Sequence, residues 1–156
     1  MNSRQLYFVK PRQVEIRDQQ LPPLLPDQVL VKSLYSGISA GTEMLVYRGQ
    51  LPDDTVLDEG LAAFQSQNTN YPLQYGYACV GRIQQVGKNI DVACIGKIVF
   101  SFLPHGSHHV CTMESVILLP KDINPKEAVF LANMETAVNL VQDGNPGLGD
   151  RVVVLG

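Results

Sequence analysis

Several things are scarce in this chain, and each shortage removes a class of explanation. It has no strong excess of either charge: 12 lysines and arginines stand against 15 aspartates and glutamates, for a net charge of −3. With its basic residues scattered, the chain carries no electrostatic footprint for nucleic acid or an anionic membrane surface. It lacks long apolar runs; none approaches the roughly 18 residues of a bilayer-spanning helix. Its first residues, Met1-Asn2-Ser3-Arg4-Gln5-Leu6, contain no signal-peptide hydrophobic region, so a cytoplasmic location is the expectation. Cysteine is scarce too. Cys79, Cys94 and Cys111 are odd in number and far apart, with no Cys-x-x-Cys pair, which argues against a disulfide framework. Each lies in an apolar, strand-like stretch, and three buried free thiols are expected.

What is present is ordinary for a globular protein. The 156 residues are 45% hydrophobic and 17% charged, enough for one domain with a real core. Strand signals dominate the first 120 residues. Residues 5–9 and 13–17 alternate around Lys10-Pro11-Arg12, which predicts a hairpin. Pro22, Pro23 and Pro26 mark a loop, and residues 28–35 alternate again. Residues 36–41 form a tight loop with two glycines, followed by a short helix over 42–47 with Thr42 or Gly41 near its cap. Residues 51–71, acidic and then polar, read as an excursion from the core. A strand is predicted over 75–86, with a bulge or bend at Gly81. Further strands are predicted at 97–103, 108–113 and 114–120.

After Pro120 the period changes. Pro125 and Glu127 suit a helix start. Ala128, Leu131, Ala132, Ala137, Val138, Leu140 and Val141 recur at helical spacing until Gly144, Pro146 and Gly147. The last six residues, Arg151-Val152-Val153-Val154-Leu155-Gly156, read as a buried parallel strand running into a glycine. A dinucleotide-binding βαβ unit begins in that way, although any hydrophobic terminal strand could look the same.

Five local patterns, in order, resemble the medium-chain dehydrogenase/reductase superfamily, the zinc alcohol dehydrogenase family in its broad sense. Residues 29–35 followed by Ser36-Gly37-Ile38-Ser39 resemble that family's strand and Gly-Ile-Cys loop. Tyr75-Gly76-Tyr77-Ala78-Cys79-Val80-Gly81-Arg82-Ile83 is similar to its Gly-His-Glu segment and the strand after it. Val86-Gly87 through Ile95-Gly96-Lys97-Ile98-Val99 resembles its valine-glycine and glycine-aspartate-arginine-valine stretch. Thr136-Ala137-Val138-Asn139-Leu140-Val141 resembles the helix that joins its two domains, and Gly149-Asp150-Arg151-Val152 the first Rossmann strand. The Ser-Gly-Ile-Ser-x-Gly-Thr-Glu loop at 36–43 and the Pro104-His105 pair are closer to a subgroup that includes bacteriochlorophyllide dehydrogenase-like members.

The resemblance implies a mainly β fold with short helices, a partly open GroES-like β-barrel. It divides the chain into a substrate domain over 1–125, a joining helix and turn over 126–148, and a truncated first Rossmann strand over 149–156. It implies NAD or NADP as cofactor of a fuller protein, a small-molecule substrate, a missing Rossmann domain as partner, and a homo-oligomer as one possible state. The family's catalytic zinc ligands fall here on Ser39, Tyr77 and Ala132, and the adjoining glutamate on Ala78. Serine and tyrosine hydroxyls are poor zinc ligands and alanine is none, so zinc independence is expected. A zinc-free reductase must polarise a carbonyl or conjugated enone by hydrogen bonds. Thr42, Tyr77 and His105 are the first candidates for polarisation and proton delivery; Tyr35 is a further hydroxyl, and Glu43 either orients Thr42 or helps start the helix. Thr136 and Gly156 are the cofactor-side candidates. Thr136 could equally bond its own helix backbone.

Two other readings stand beside this one. The chain could be a free-standing or degenerate GroES-like module with a binding role and no catalysis. His105, His108, His109 and Cys111 are legitimate metal-ligand types close in sequence, although a polar loop entering a strand explains them more simply.

Overall fold

The computed structural model describes residues 1–51 and 70–155; most of the 51–71 excursion therefore lies outside the described residues. Among them, seven strands and three helices follow the order β1 (Asn2–Lys10), β2 (Gln13–Gln20), β3 (Gln28–Ser36), α1 (Thr42–Arg48), β4 (Cys79–Val86), β5 (Ile98–Ser101), β6 (His108–Thr112), β7 (Val116–Leu118), α2 (Pro125–Ala128) and α3 (Leu131–Gly144). The fold is mainly β with short helices, as expected. β1 and β2 form the predicted hairpin, turned by Arg12 at φ 62°. The other strands make one antiparallel sheet in the order β6-β3-β4-β5-β7.

Alternation places side chains on opposite sheet faces, and both faces of this sheet are covered. Val29, Val31, Ile83, Val99, Cys111 and Val116 pack into one cluster, with Cys94 from a short 3-10 turn. Ala78, Val80 and Phe100 meet Ala128 of α2 in a second. A third joins the hairpin to α1 through Phe8, Val46, Leu73 and Tyr75. All three cysteines are free and buried. Burial raises the thiol pKa of Cys79 and Cys111 above the ordinary value, so these thiols are held protonated and inert.

Glycine is needed where backbones meet. The pairing of β3 with β4 shifts register near Gly81, as a bulge there predicts, and a Cβ on Gly81 would lie 2.3 Å from Val31 Cγ1. Gly87 is tighter: a Cβ there would lie 2.2 Å from the Leu25 carbonyl oxygen and 2.3 Å from that of Pro26. These are main-chain atoms, which cannot swing aside. Gly87→Ala is therefore expected to destabilise the fold by about 1–3 kcal/mol, the usual cost of overpacking. A urea midpoint equal to that of the parent chain would contradict this.

The second half departs from expectation in three places. The strand predicted from residue 75 begins only at Cys79, because Gly76 takes φ 139° and breaks the extended run. The single joining helix is two helices: α2, capped by the Asn124 side chain on the Lys126 N–H, ends at Ala128, and α3 begins at Leu131. Leu131 and Ala132, at the start of α3, pack against the cluster of Ala78, Val80, Phe100 and Ala128, but the apolar positions around and beyond them do not face a core. Phe130, Met134 and Leu140 are 59%, 58% and 67% exposed, since no sheet layer lies beneath them among the described residues. Residues 151–155 form no strand here, and Val154 is 87% exposed. A strand needs a neighbour for its backbone groups, and none of the described strands reaches it. Gly156 lies outside the described residues.

Candidate functional site

Two loops at one end of the sheet build the site. β3 ends at Ser36, and residues 37–41 lead into α1, whose N-cap is Gly41. The loop is held to the start of β4 by the Gly37 N–H, which donates to the Ala78 carbonyl at 2.8 Å. On the neighbouring side, β5 runs into the 102–107 loop, anchored where the Leu6 N–H donates to the His105 carbonyl at 3.0 Å.

Glu43 stands in the first turn of α1, a favoured place for an acid, but it points inward and is 1% exposed. Both its oxygens are bonded. Oε1 accepts the Ser39 N–H at 3.0 Å, and Oε2 lies 2.7 Å from His105 Nε2. On its other side His105 Nδ1 is bonded to the Ser36 hydroxyl. Gly76 makes room for the imidazole: a Cβ there would lie 3.0 Å from the ring. The result is an acid–imidazole–hydroxyl chain running from a buried carboxylate to an exposed serine.

Beside it lies a cavity of about 380 Å³, walled by Gly37, Ile38, Ser39, Ala40, Gly41, Tyr77, Ala78, Val129, Phe130 and Asn133. It sits between the 37–41 loop and the segment joining α2 to α3. Tyr77 is one of its lining residues; the Tyr77 hydroxyl bonds no other described residue, and the ring stacks edge-on to Tyr75 at 6.3 Å.

The structure sorts the expected site residues. Tyr77 and Ser39 share the cavity. His105 does not line the cavity; it bonds Ser36 and Glu43, and Glu43 in turn accepts from the Ser39 amide of the cavity wall. Thr42 is exposed and does not line the cavity; its N–H bonds the Ser39 hydroxyl at 3.2 Å. Glu43 is the acid in the first turn of α1, in keeping with the helix-start reading, and it also holds His105 and the Ser39 amide rather than the Thr42 hydroxyl. The Thr136 hydroxyl donates to the Ala132 carbonyl of its own helix at 3.1 Å, the simpler of its two readings. Tyr35 is exposed, under the Lys126 ammonium at 5.9 Å. Ser36 and Asn133 were not foreseen. Ser36 carried no signal beyond being a strand-end hydroxyl, and Asn133 was hidden within an apolar helical stretch.

The histidine–cysteine group does not converge. Among the described residues no three His, Cys, Asp or Glu side chains are placed to hold a metal ion. At the positions matching the family's zinc ligands stand a serine hydroxyl, a phenol and a methyl group, a donor set that does not fit zinc.

His109 is 7% exposed, and burial lowers its pKa from 6.5 to about 4 against the opposing effect of a backbone hydrogen bond to Gly106. His108 is lowered more mildly, by partial burial and then by Lys32. Because the folded pKa of His109 lies below the unfolded one, the unfolded chain binds the proton first. Its contribution is whole above about pH 6.5 and is lost as pH falls toward 4. Melting temperature is therefore expected to fall across that window, and His109→Gln to flatten the fall. An unchanged slope in the variant would contradict this.

No family model matches the chain. It is 33% identical over 110 residues to the curated Dictyostelium discoideum protein named "Probable polyketide synthase 1", covering 69% of this chain and 3% of that protein. Among solved structures it resembles a short chain alcohol dehydrogenase from E. coli CFT073 in complex with NADH, with TM-score 0.71 at 19% identity, over 93% of this chain and 46% of the other. It also resembles a mutant enoyl thioester reductase from Candida tropicalis, with TM-score 0.70 at 15% identity, over 95% and 45%. The chain thus spans less than half the length of these two structures. No helix among the described residues is long and apolar enough to cross a membrane. The strand order, the curled sheet and these likenesses agree, and the chain carries the GroES-like fold of the medium-chain dehydrogenase/reductase family.

Proposed function

We propose that this chain is the substrate-side half of a zinc-independent, NAD(P)-dependent oxidoreductase that reduces a carbonyl or a conjugated enone. The observation that carries the reading is the cavity between the 37–41 loop and α3, with the Tyr77 hydroxyl as an uncommitted donor in its wall. A concave, mostly apolar pocket with few polar groups suits a small organic substrate. A phenol aimed at a developing oxyanion supplies the polarisation that a metal supplies elsewhere. The residues at the zinc-ligand positions, Ser39, Tyr77 and Ala132, support zinc independence. The likeness to an enoyl thioester reductase and the match to a polyketide synthase favour a conjugated thioester or ketone over a simple alcohol.

The nicotinamide cofactor supplies the hydride when bound. This chain's residues do the rest. The cavity receives the substrate, Tyr77 donates to its oxygen, and Asn133 is a second polar contact for orientation. The Val129 and Phe130 side chains present apolar surface to the carbon skeleton.

The test is reduction of crotonyl thioester and 2-cyclohexenone by the protein purified from its native source, with NADH and NADPH, with and without a zinc chelator. Turnover that survives the chelator is expected. Absence of turnover with either nicotinamide overturns the reading in favour of a binding module, and turnover abolished by the chelator overturns zinc independence.

A further inference from the structure

We propose that Glu43, His105 and Ser36 form a proton-transfer chain, with Ser36 as its terminal donor and Glu43 as the positioning residue. The use of that proton in reduction rests on the reading above; the chain itself rests on geometry. An ionised carboxylate only accepts hydrogen bonds. Glu43 Oε1 already receives the Ser39 N–H, and Oε2 faces His105 Nε2 at 2.7 Å. Nε2 must therefore carry hydrogen whether the ring is neutral or charged. The nitrogen that gains and loses a proton is then Nδ1, which faces Ser36.

That assignment makes the Ser36 hydroxyl a two-position element. With Nδ1 bare, the Ser36 O–H donates inward to it. With Nδ1 protonated, the ring donates to Ser36 Oγ, and the hydroxyl hydrogen turns outward. Ser36 is exposed, and the next residue, Gly37, is part of the cavity wall. In the outward state Ser36 gives its hydrogen to the anion left when hydride adds to the substrate. The Nδ1–H bond breaks as its proton passes to Ser36 Oγ, and the imidazolium becomes neutral. Water then returns a proton to Nδ1 through Ser36. Glu43 Oε2 stays the partner of Nε2 throughout and neither gives nor takes the transferred proton. Among the described residues, the other titratable and charged groups near the ring include His109 of β6 and Arg4 of β1, which lines the same shallow surface depression as His105. Neither bonds a nitrogen of the His105 ring.

Buried acids that only tie two loops together do not need an exposed hydroxyl on the far ring nitrogen, so ring chemistry separates the two roles. The experiment is proton–nitrogen correlation NMR of the His105 ring in the chain itself, above about pH 8.5, where a reference imidazole is neutral. The expected spectrum has hydrogen on Nε2 and a hydrogen-bonded, unprotonated Nδ1. Ser36→Ala is expected to move Nδ1 alone to the position of a bare nitrogen, and this exposed change leaves the fold intact. Hydrogen on Nδ1, or an Nδ1 signal indifferent to Ser36→Ala, overturns the proposal. In the cofactor-loaded protein Ser36→Ala is expected to lower kcat about 10²-fold, as loss of a general acid does, and to leave KM within about twofold. An unchanged kcat overturns the role of Ser36 as donor. If the parent protein reduces nothing, the reductase reading fails, and the ring spectra alone decide whether the proton chain exists.

Discussion

Truncation of Phe100 to alanine is expected to destabilise the protein by about 3–5 kcal/mol, the range for removing a large buried aromatic. Its ring is fully buried between Ala78, Val80 and Ala128, and the Phe102 ring packs against it edge-on at 5.1 Å and 86°. The site cannot close over the vacancy. Phe100 is paired through its backbone with Val80 of β4 on one side and Ile117 of β7 on the other, so neither strand can shift without breaking the ladder. The neighbours Ala78 and Ala128 are too short to fill the space. Urea unfolding should show a lower midpoint with an unchanged slope. A loss below about 1 kcal/mol would mean that α2 can settle onto the sheet and refill the gap. Ala78 also lines the cavity beside Tyr77, so the variant should disturb the cavity wall as well as the core.

Tyr77→Phe is expected to lower kcat about 10²- to 10³-fold, the cost of removing one preorganised donor to a developing oxyanion, if the proposed reduction is the reaction. The change deletes one oxygen and keeps the ring. The edge-on contact with Tyr75 and the packing against Val80 and Phe100 should therefore survive, and stability should shift by less than about 1 kcal/mol, because no hydrogen bond to another described residue is lost. Steady-state kinetics with an enone and thermal melting of the same preparation would separate the two effects. A large drop in Tm with unchanged kcat would assign Tyr77 to the core. An unchanged kcat with unchanged stability would move the donor role to Ser39 or to the Ser36–His105 pair.

The two predictions draw on different layers of information. Phe100 is legible in sequence as an apolar strand residue, because period-2 alternation reports which positions turn from water. The same local signals located the hairpin, the short helix after Gly41, the strands at 98–101 and 108–112, and the three buried thiols. They work because hydrogen-bonding geometry, proline and glycine act over a few neighbouring residues. The tail 151–155 shows the limit of that reasoning. Its apolar run names a segment suited to burial, yet it lies exposed, since burial requires a partner surface that no local pattern supplies. The break between α2 and α3 was missed for a related reason: helical spacing continues through Val129 and Phe130 while the backbone caps and restarts.

The sequence by itself determined the mainly β architecture, the likeness to a dehydrogenase half and the departure from the zinc-ligand pattern, all of which follow from residue type and order. Only the tertiary structure decided which polar residues meet. Glu43 and His105 are 62 positions apart and Ser36 and His105 are 69 apart, joined because β3 and β5 flank β4 and end on the same side of the sheet. It also separated Tyr77, which faces the cavity, from Thr42, which faces solvent. A hydrogen bond between distant segments depends on strand order and register, and those are set by the packing of the whole sheet rather than by any run of neighbours.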